Sequence, residues 1–286
     1  MTKESARCAL ITGASQGLGR AFAEECAGRG MDLVLVALPE TGLREVAMIL
    51  ERAYHVRVQP VEMDLAPEEA PRAIASICRS RGFPVDTLIN NAGIGFTSRF
   101  TQSLAEQNEV TIQLNVGTLV RLTQEMLPDL QTRRRSWILN VASVGAFFPM
   151  PSMPVYSSTK TFVFTFSRLL RAELRGTGVS VSVLCPNGIR TNRATCDLIA
   201  KQGWAGRATC RYPDEVARAG LRGLFRGVGV IVPGIVNRLL IAASPLVPQG
   251  LSMSFIAHRW GTERGQRQRS RTTRTPVPGH LSEARA

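Results

Sequence analysis

Aromatic residues are scarce in this chain. Phe, Trp and Tyr make up 6% of the 286 residues, and only three of them are tyrosines. Histidine occurs three times, at His55, His258 and His280. The six cysteines (Cys8, Cys26, Cys78, Cys185, Cys196 and Cys210) contain no Cys-x-x-Cys pair. No metal-site spacing is visible, so no metal is expected, and buried reduced thiols in a cytoplasmic protein account for the cysteines most simply. Cys196 and Cys210 fall in a less regular stretch, where a place in a pocket stays open. The opening Met-Thr-Lys-Glu-Ser-Ala-Arg is short and polar, which predicts no secretory leader. No uninterrupted apolar run reaches the length of a membrane span.

Acidic residues are outnumbered, 22 against 35 Lys and Arg, which leaves a formal charge of +13. Part of the excess lies in residues 262–286, with six Arg against two Glu. A disordered basic tail is the simplest reading. Aromatic residues do not alternate with basic ones there, so nucleic acid is not an expected partner. A hydrophobic content of 44% allows a sizeable core in one domain over residues 1–261.

Short apolar runs alternate with helical stretches. Strands are predicted near 7–12, 32–37, 57–61, 86–90, 136–141, 179–184 and 228–232. Helices are predicted near 17–29, 40–53, 67–80, 104–131, 155–176 and 213–226. This alternation predicts an α/β fold: a doubly wound parallel sheet of about seven strands with helices on both faces. Ligands of such sheets bind at the carboxyl ends of the strands, at the topological switch. Residues 193–226 are expected to hold a lid over that end, irregular over 193–212. The apolar stretch 228–257 is broken by Pro233, Pro245 and Pro248, so it reads as a strand and two short helices near 234–243 and 249–259. Those helices could cap a pocket, cover a subunit interface or touch a membrane surface.

The first strand runs into Gly13-Ala14-Ser15-Gln16-Gly17-Leu18-Gly19 and then a helix. Glycines allow a tight turn and close approach of a phosphate, and a helix N-terminus offers free N–H groups. Further on come Asn90-Asn91-Ala92-Gly93, Asn115, Ser143, and Tyr156 and Lys160 in Val-Tyr-Ser-Ser-Thr-Lys. Residues four apart share a helix face, so a phenol and an ammonium would enter one cleft, where the ammonium would lower the phenol pKa. Singly, each residue has a plainer reading: Ser143 a turn, Asn115 a solvated or capping residue, Asp64 the start of a turn.

Taken in order and spacing, these motifs resemble the short-chain dehydrogenase/reductase family, over about residues 7 to 192. The apolar arrangement over 228–257 resembles family members that reduce long-chain or bulky apolar ketones, including bacterial relatives of the ketoacyl and hydroxysteroid reductases. The resemblance implies a Rossmann fold and hydride transfer between a nicotinamide cofactor and a ketone or secondary alcohol. It implies Tyr156 as general acid, Ser143 as a hydrogen-bond donor to the substrate oxygen, Lys160 beside Tyr156 and the nicotinamide ribose, and Asn115 in a proton relay. Gly13, Ser15, Gln16, Gly17, Leu18 and Gly19 would hold the pyrophosphate side. Leu38, Asp64, Leu65, Asn91, Ala92 and Gly93 would lie along the adenosine side. Pro186, Ile189 and Thr191 would stand at the nicotinamide carboxamide. A homodimer or homotetramer through the helices at 104–131 and 155–176 is implied as well.

The chain departs from the pattern at two places. Pro186-Asn187 stands where the family usually has Pro-Gly, and an Asn there could keep the turn by adopting positive φ. The second strand ends Ala37-Leu38-Pro39, without the acid that NAD users place at this tip, although Glu40 is close. NADP(H) is therefore expected over NAD(H); Arg20 and Arg44 are candidate phosphate contacts, although surface charge is the simpler reading of both. A non-catalytic dinucleotide sensor of the same fold is the alternative.

Overall fold

The computed structural model describes residues 7–96, 98, 100–148, 150, 152–190 and 209–243. Seven strands form one sheet: β1 (Cys8–Thr12), β2 (Asp32–Ala37), β3 (Val58–Glu62), β4 (Thr87–Asn90), β5 (Ser136–Val141), β6 (Val179–Leu184) and β7 (Val230–Ile231). Their order is β3-β2-β1-β4-β5-β6-β7, and every pairing is parallel. The helices are α1 (Gly17–Ala27), α2 (Leu43–Tyr54), α3 (Ala70–Ser80), α4 (Ala105–Ile112), α5 (Leu119–Gln131), α6 (Pro154–Glu173), α7 (Pro213–Phe225) and α8 (Ile235–Ala243).

The strands read as continuous apolar runs because both faces of the sheet are covered. All of Asp32-Leu-Val-Leu-Val-Ala37 is buried. One face packs Leu33, Leu35 and Leu139 against Phe22 of α1, Leu50 of α2 and Leu221 of α7. The other packs Leu10, Val34, Leu88 and Ile138 against Ile74 of α3, Leu122 of α5 and Leu170 of α6. Pro60 lies in β3, the edge strand, where its missing N–H leaves no gap inside the sheet.

Three expectations differ in detail. The single helix foreseen over 104–131 is divided into α4, a wider π-helical turn at Gln113–Thr118, and α5. The wide turn is held from outside the helix: Thr118 Oγ1 donates to Leu65 O at 2.7 Å, after β3, and its distance to Gln113 O is 3.1 Å. Second, α2 starts at Leu43 rather than near residue 40, because Glu40 (φ 60°) and Gly42 (φ 75°) are left-handed and cannot continue a helix backwards. Third, residues 213–225 of the foreseen lid form α7, whose Val216, Ala217, Leu221 and Leu224 are buried in the core. Residues 191–208, and the helix foreseen near 249–259, lie outside the described residues. Among the described residues no helix is long and apolar enough to cross a membrane.

Candidate active site

The sheet reverses its winding between β1 and β4, and the crevice at their carboxyl ends is bound together by Thr12. Its buried Oγ1 accepts from Asn91 N at 3.0 Å and from Ala92 N at 2.9 Å, and donates to Ile89 O at 3.4 Å. Asn91 Nδ2 donates back to Thr12 O at 2.8 Å. The glycine turn folds over this brace. Gly13 has φ +67°, and a Cβ at Gly19 would stand 2.0 Å from Gly13 O, so a side chain there would collide with backbone. α1 begins without a side-chain cap at Gln16 and without an acid in its first turn. An uncapped helix start with a closely approaching backbone fits a dinucleotide pyrophosphate.

The second cluster gathers beside it. The π turn carries Asn115 into the body, 1% exposed. Its Oδ1 accepts from Ile94 N, and its Nδ2 donates to Ile94 O, both at 2.9 Å. Nδ2 also donates to Thr159 Oγ1 at 3.0 Å, which joins the turn to α6. Lys160, 5% exposed, donates from Nζ to Val141 O at the end of β5, at 2.9 Å. Burial brings its pKa down to about 8 from the usual 10.5, an effect that nearby Cys185 opposes. Burial pushes the Tyr156 phenol above its ordinary value, and a hydrogen bond with Ser143 works the other way. Ser143, which follows β5, also accepts from Gly145 N at 3.0 Å through Oγ.

Glycine controls the approach of these groups. A Cβ on Gly93 would lie 3.0 Å from Asn115 Oδ1 and 3.2 Å from Lys160 Nζ. On Gly95 it would stand 2.5 Å from Tyr156 Cδ2. Only a bare backbone lets the chain after β4 lie this close to the Tyr156 ring.

This geometry agrees with what comparison with known proteins finds. Residues 7–201 match the profile of the short chain dehydrogenase family. The chain belongs to the short-chain dehydrogenase family. It is 34% identical over 186 residues to 17-beta-hydroxysteroid dehydrogenase type 3 of Mus musculus, covering 64% of this chain and 60% of that protein. It is 31% identical over 188 residues to very-long-chain 3-oxoacyl-CoA reductase-A of Danio rerio, covering 64% and 58%. The matched region thus spans about 60% of the length of these relatives. Among solved structures, a short-chain dehydrogenase from Sphingobium yanoikuyae in complex with NADPH superposes with a TM-score of 0.71 at 30% identity, covering 96% of this chain and 99% of that one. A 7beta-hydroxysteroid dehydrogenase superposes with a TM-score of 0.80 at 22% identity, covering 88% and 96%, which shows the shared fold.

Within this short-chain dehydrogenase the foreseen residues converge unevenly. Asn115, Ser143, Tyr156 and Lys160 come together at the carboxyl ends of β4 and β5. Gly13, Ser15, Gln16, Gly17, Leu18 and Gly19 form the turn into α1; Asn91 and Ala92 face it across the crevice, and Gly93 lies beside Asn115 and Lys160. Leu65 is buried under the π turn, while Asp64 is exposed and accepts from Ala66 N at 3.0 Å. Leu38 is 53% exposed at the tip of β2. Pro186 O accepts from Val144 N at 2.9 Å, and Ile189 pairs with Arg211. Thr191 lies outside the described residues.

Two expectations are corrected. The lowered Tyr156 pKa is absent: Lys160 Nζ stands 5.7 Å from the ring centroid and bonds Val141 O, so burial dominates the phenol. Asn187 does not adopt positive φ. Arg20 and Arg44 lie at the surface in exposed ion pairs, with Glu24 at 3.0 Å and Glu62 at 2.6 Å.

Sequence reading also missed Gly95, Thr159 and Met150, whose methyl would lie 3.3 Å from a Cβ on Gly145 beside Ser143. The Ala-Gly-Ile-Gly run held a signal for Gly95 in its second glycine. Nothing local marks the other two.

Proposed function

We propose that this chain is an oxidoreductase that transfers hydride between NADP(H) and a ketone or secondary alcohol of apolar character. The observation that carries this reading is the convergence of Ser143, Tyr156, Lys160 and Asn115 beside an uncapped, glycine-lined helix start. The nicotinamide cofactor, when bound, supplies or accepts the hydride. Gly13, Ser15, Gly17, Leu18 and Gly19 would hold its pyrophosphate, and Lys160 its ribose.

Reduction of a carbonyl builds negative charge on oxygen. Ser143 and Tyr156 present hydroxyls to one point, where they stabilise that charge, and Tyr156 then delivers its proton. The raised Tyr156 pKa keeps the phenol protonated at neutral pH, the form a general acid needs. Asn115 fixes the backbone of Ile94 on one side and Thr159 of α6 on the other, which holds Tyr156 and Lys160 in register with the loop after β4.

The preference for NADP(H) is supported at the β2 tip. Leu38 carries no charge there. Glu62, in register with Ala37, is paired with Arg44 at 2.6 Å, which weakens its repulsion of a 2′-phosphate, while the exposed Glu40 stands two residues beyond Leu38. The apolar character of the substrate is supported by the Met150 methyl near Ser143 and by Phe96, Phe100, Met153 and Val155, which share the lining of a recess next to Tyr156 with Ser98, Ser103, Asn108 and Thr111. A homo-oligomer is supported by the exposed Phe162 and Leu169 of α6 and Val110 and Ile112 of α4. A cytoplasmic place in the cell completes the reading.

The test is titration with NADPH and NADH by nicotinamide fluorescence, followed by turnover on a panel of apolar ketones. Tyr156→Phe is expected to bind NADPH as the wild type does and to lose ~10²- to 10⁴-fold in kcat. Full turnover by that variant would sink the assignment of the acid. Nucleotide binding without turnover of any ketone would favour a sensor.

A further inference from the structure

α8 reads Ile-Val-Asn-Arg-Leu-Leu-Ile-Ala-Ala, apolar along most of its length, yet its buried residue is the polar Asn237, 1% exposed. Asn237 Nδ2 donates to Pro233 O at 2.9 Å and to Thr209 O at 2.8 Å. Its Oδ1 accepts from Asn187 Nδ2 at 3.2 Å. Two carbonyl acceptors fix which end of the amide is nitrogen. Asn187 is fixed in the same way, because its Oδ1 accepts from Gly188 N at 2.8 Å. A buried amide with matched partners defines one geometry, and removing Asn237 takes a donor from the Pro233 and Thr209 carbonyls.

These bonds tie three segments together. The first is the turn after β6, at Pro186–Gly188. The second is Thr209. The third is the turn from β7 into α8, at Pro233. Backbone bonds reinforce the first two: Arg190 N donates to Arg211 O at 3.1 Å, and Arg211 N to Gly188 O at 3.2 Å. On its far side the Pro186 turn accepts from Val144 N, next to Ser143. Asn187 replaces the usual glycine, and without positive φ its backbone has no need of the freedom glycine gives. What the replacement adds is a side chain that reaches α8.

We propose that Asn237, acting through Asn187, is a positioning residue: it locks the Pro186–Gly188 turn against the Ser143 end of β5 and thereby sets how the nicotinamide end of the nucleotide is held. The proposal rests on the dinucleotide reading above.

Two variants test it, Asn187→Gly and Asn237→Leu. Asn187→Gly removes the inter-amide bond and the bond to Gly188, and it keeps the variant set usable if Asn237→Leu does not fold. Amide hydrogen exchange is measured on the protein without nucleotide, at Gly188, Arg190 and Arg211. Nucleotide Kd, KM and kcat are then measured with the pH profile. Exchange at those amides is expected to quicken in both variants. Kd and KM for the nucleotide are expected to rise roughly tenfold, with the midpoints of the pH profile unmoved. A purely structural role would lower Tm and the active fraction while leaving Kd and KM unchanged. Unchanged exchange overturns the linkage. Quickened exchange with unchanged Kd and KM overturns the positioning role. If the wild type itself binds neither nucleotide, the dinucleotide reading fails first and this proposal falls with it.

Discussion

Lys160 holds its charge in a place that disfavours it. Its pKa of about 8 lies below the usual 10.5, because burial penalises the ammonium. Below pH 8 the folded and unfolded chains both hold the proton, and the penalty is present in full. Between pH 8 and 10.5 the unfolded chain keeps a proton that the folded chain has shed, so this group makes stability rise with pH across that window. Tyr156 acts in the opposite sense: its raised pKa keeps the proton on the folded chain above pH 10, and stability falls there. Lys160→Met should therefore raise the Tm of the unliganded protein at pH 7. The gain is on the order of 1 kcal/mol once the Val141 carbonyl's lost donor is set against the relieved penalty. Melts in a pH series check this, and the gap to wild type should shrink by pH 10. A gap that stays constant with pH would mean that burial does not strain this charge. The spacing of Tyr156 and Lys160 was legible in the sequence because helical periodicity is local. The atom that Lys160 bonds was not legible, because Val141 reaches it from a strand 19 residues away.

At the scale of elements, β2 and β3 end side by side, with Ala37 opposite Glu62, and Arg44 of α2 paired with Glu62. Glu62→Gln should free Arg44 and remove a negative charge from the tip. NADPH is then expected to bind about threefold tighter, with NADH unchanged, since an exposed pair of this kind is worth little by itself. Fluorescence titration of both nucleotides decides it; equal shifts for the two would separate the tip from the 2′-phosphate. The strands themselves were readable to within a residue or two, because a sheet covered on both faces demands unbroken apolar runs. The break in the helix over 104–131 was not readable. Its cause is Thr118 bonding Leu65 O, a contact across 53 residues that no local pattern announces. The pairing of Asn187 with Asn237 was hidden for the same reason, at a separation of 50. A substitution for glycine was visible there, but its partner was not.

For the molecule as a whole, exposed apolar residues stand on several helices: Met48, Ile49 and Tyr54 of α2, Ile235, Leu239 and Leu240 of α8, and Val110, Ile112, Phe162 and Leu169 of α4 and α6. Leu169 is 66% exposed and Phe162 is 43% exposed, its ring stacked 5.8 Å from Phe166. If this face joins copies of the chain, Leu169→Glu should shift the protein to a smaller assembly in light scattering at unchanged Tm, because the side chain touches little within its own subunit. An unchanged mass would direct attention to another face. The sheet order has one more consequence, for how such a chain is made. Reading β3-β2-β1-β4-β5-β6-β7 in order of synthesis, β2 joins β1, β3 joins β2, β4 joins the free side of β1, and each later strand joins the one before it. No strand has to be inserted between two that are already paired. A growing chain leaving the ribosome can therefore add each strand to an open edge of what has already folded, and the crevice between β1 and β4 exists before the second half has been translated.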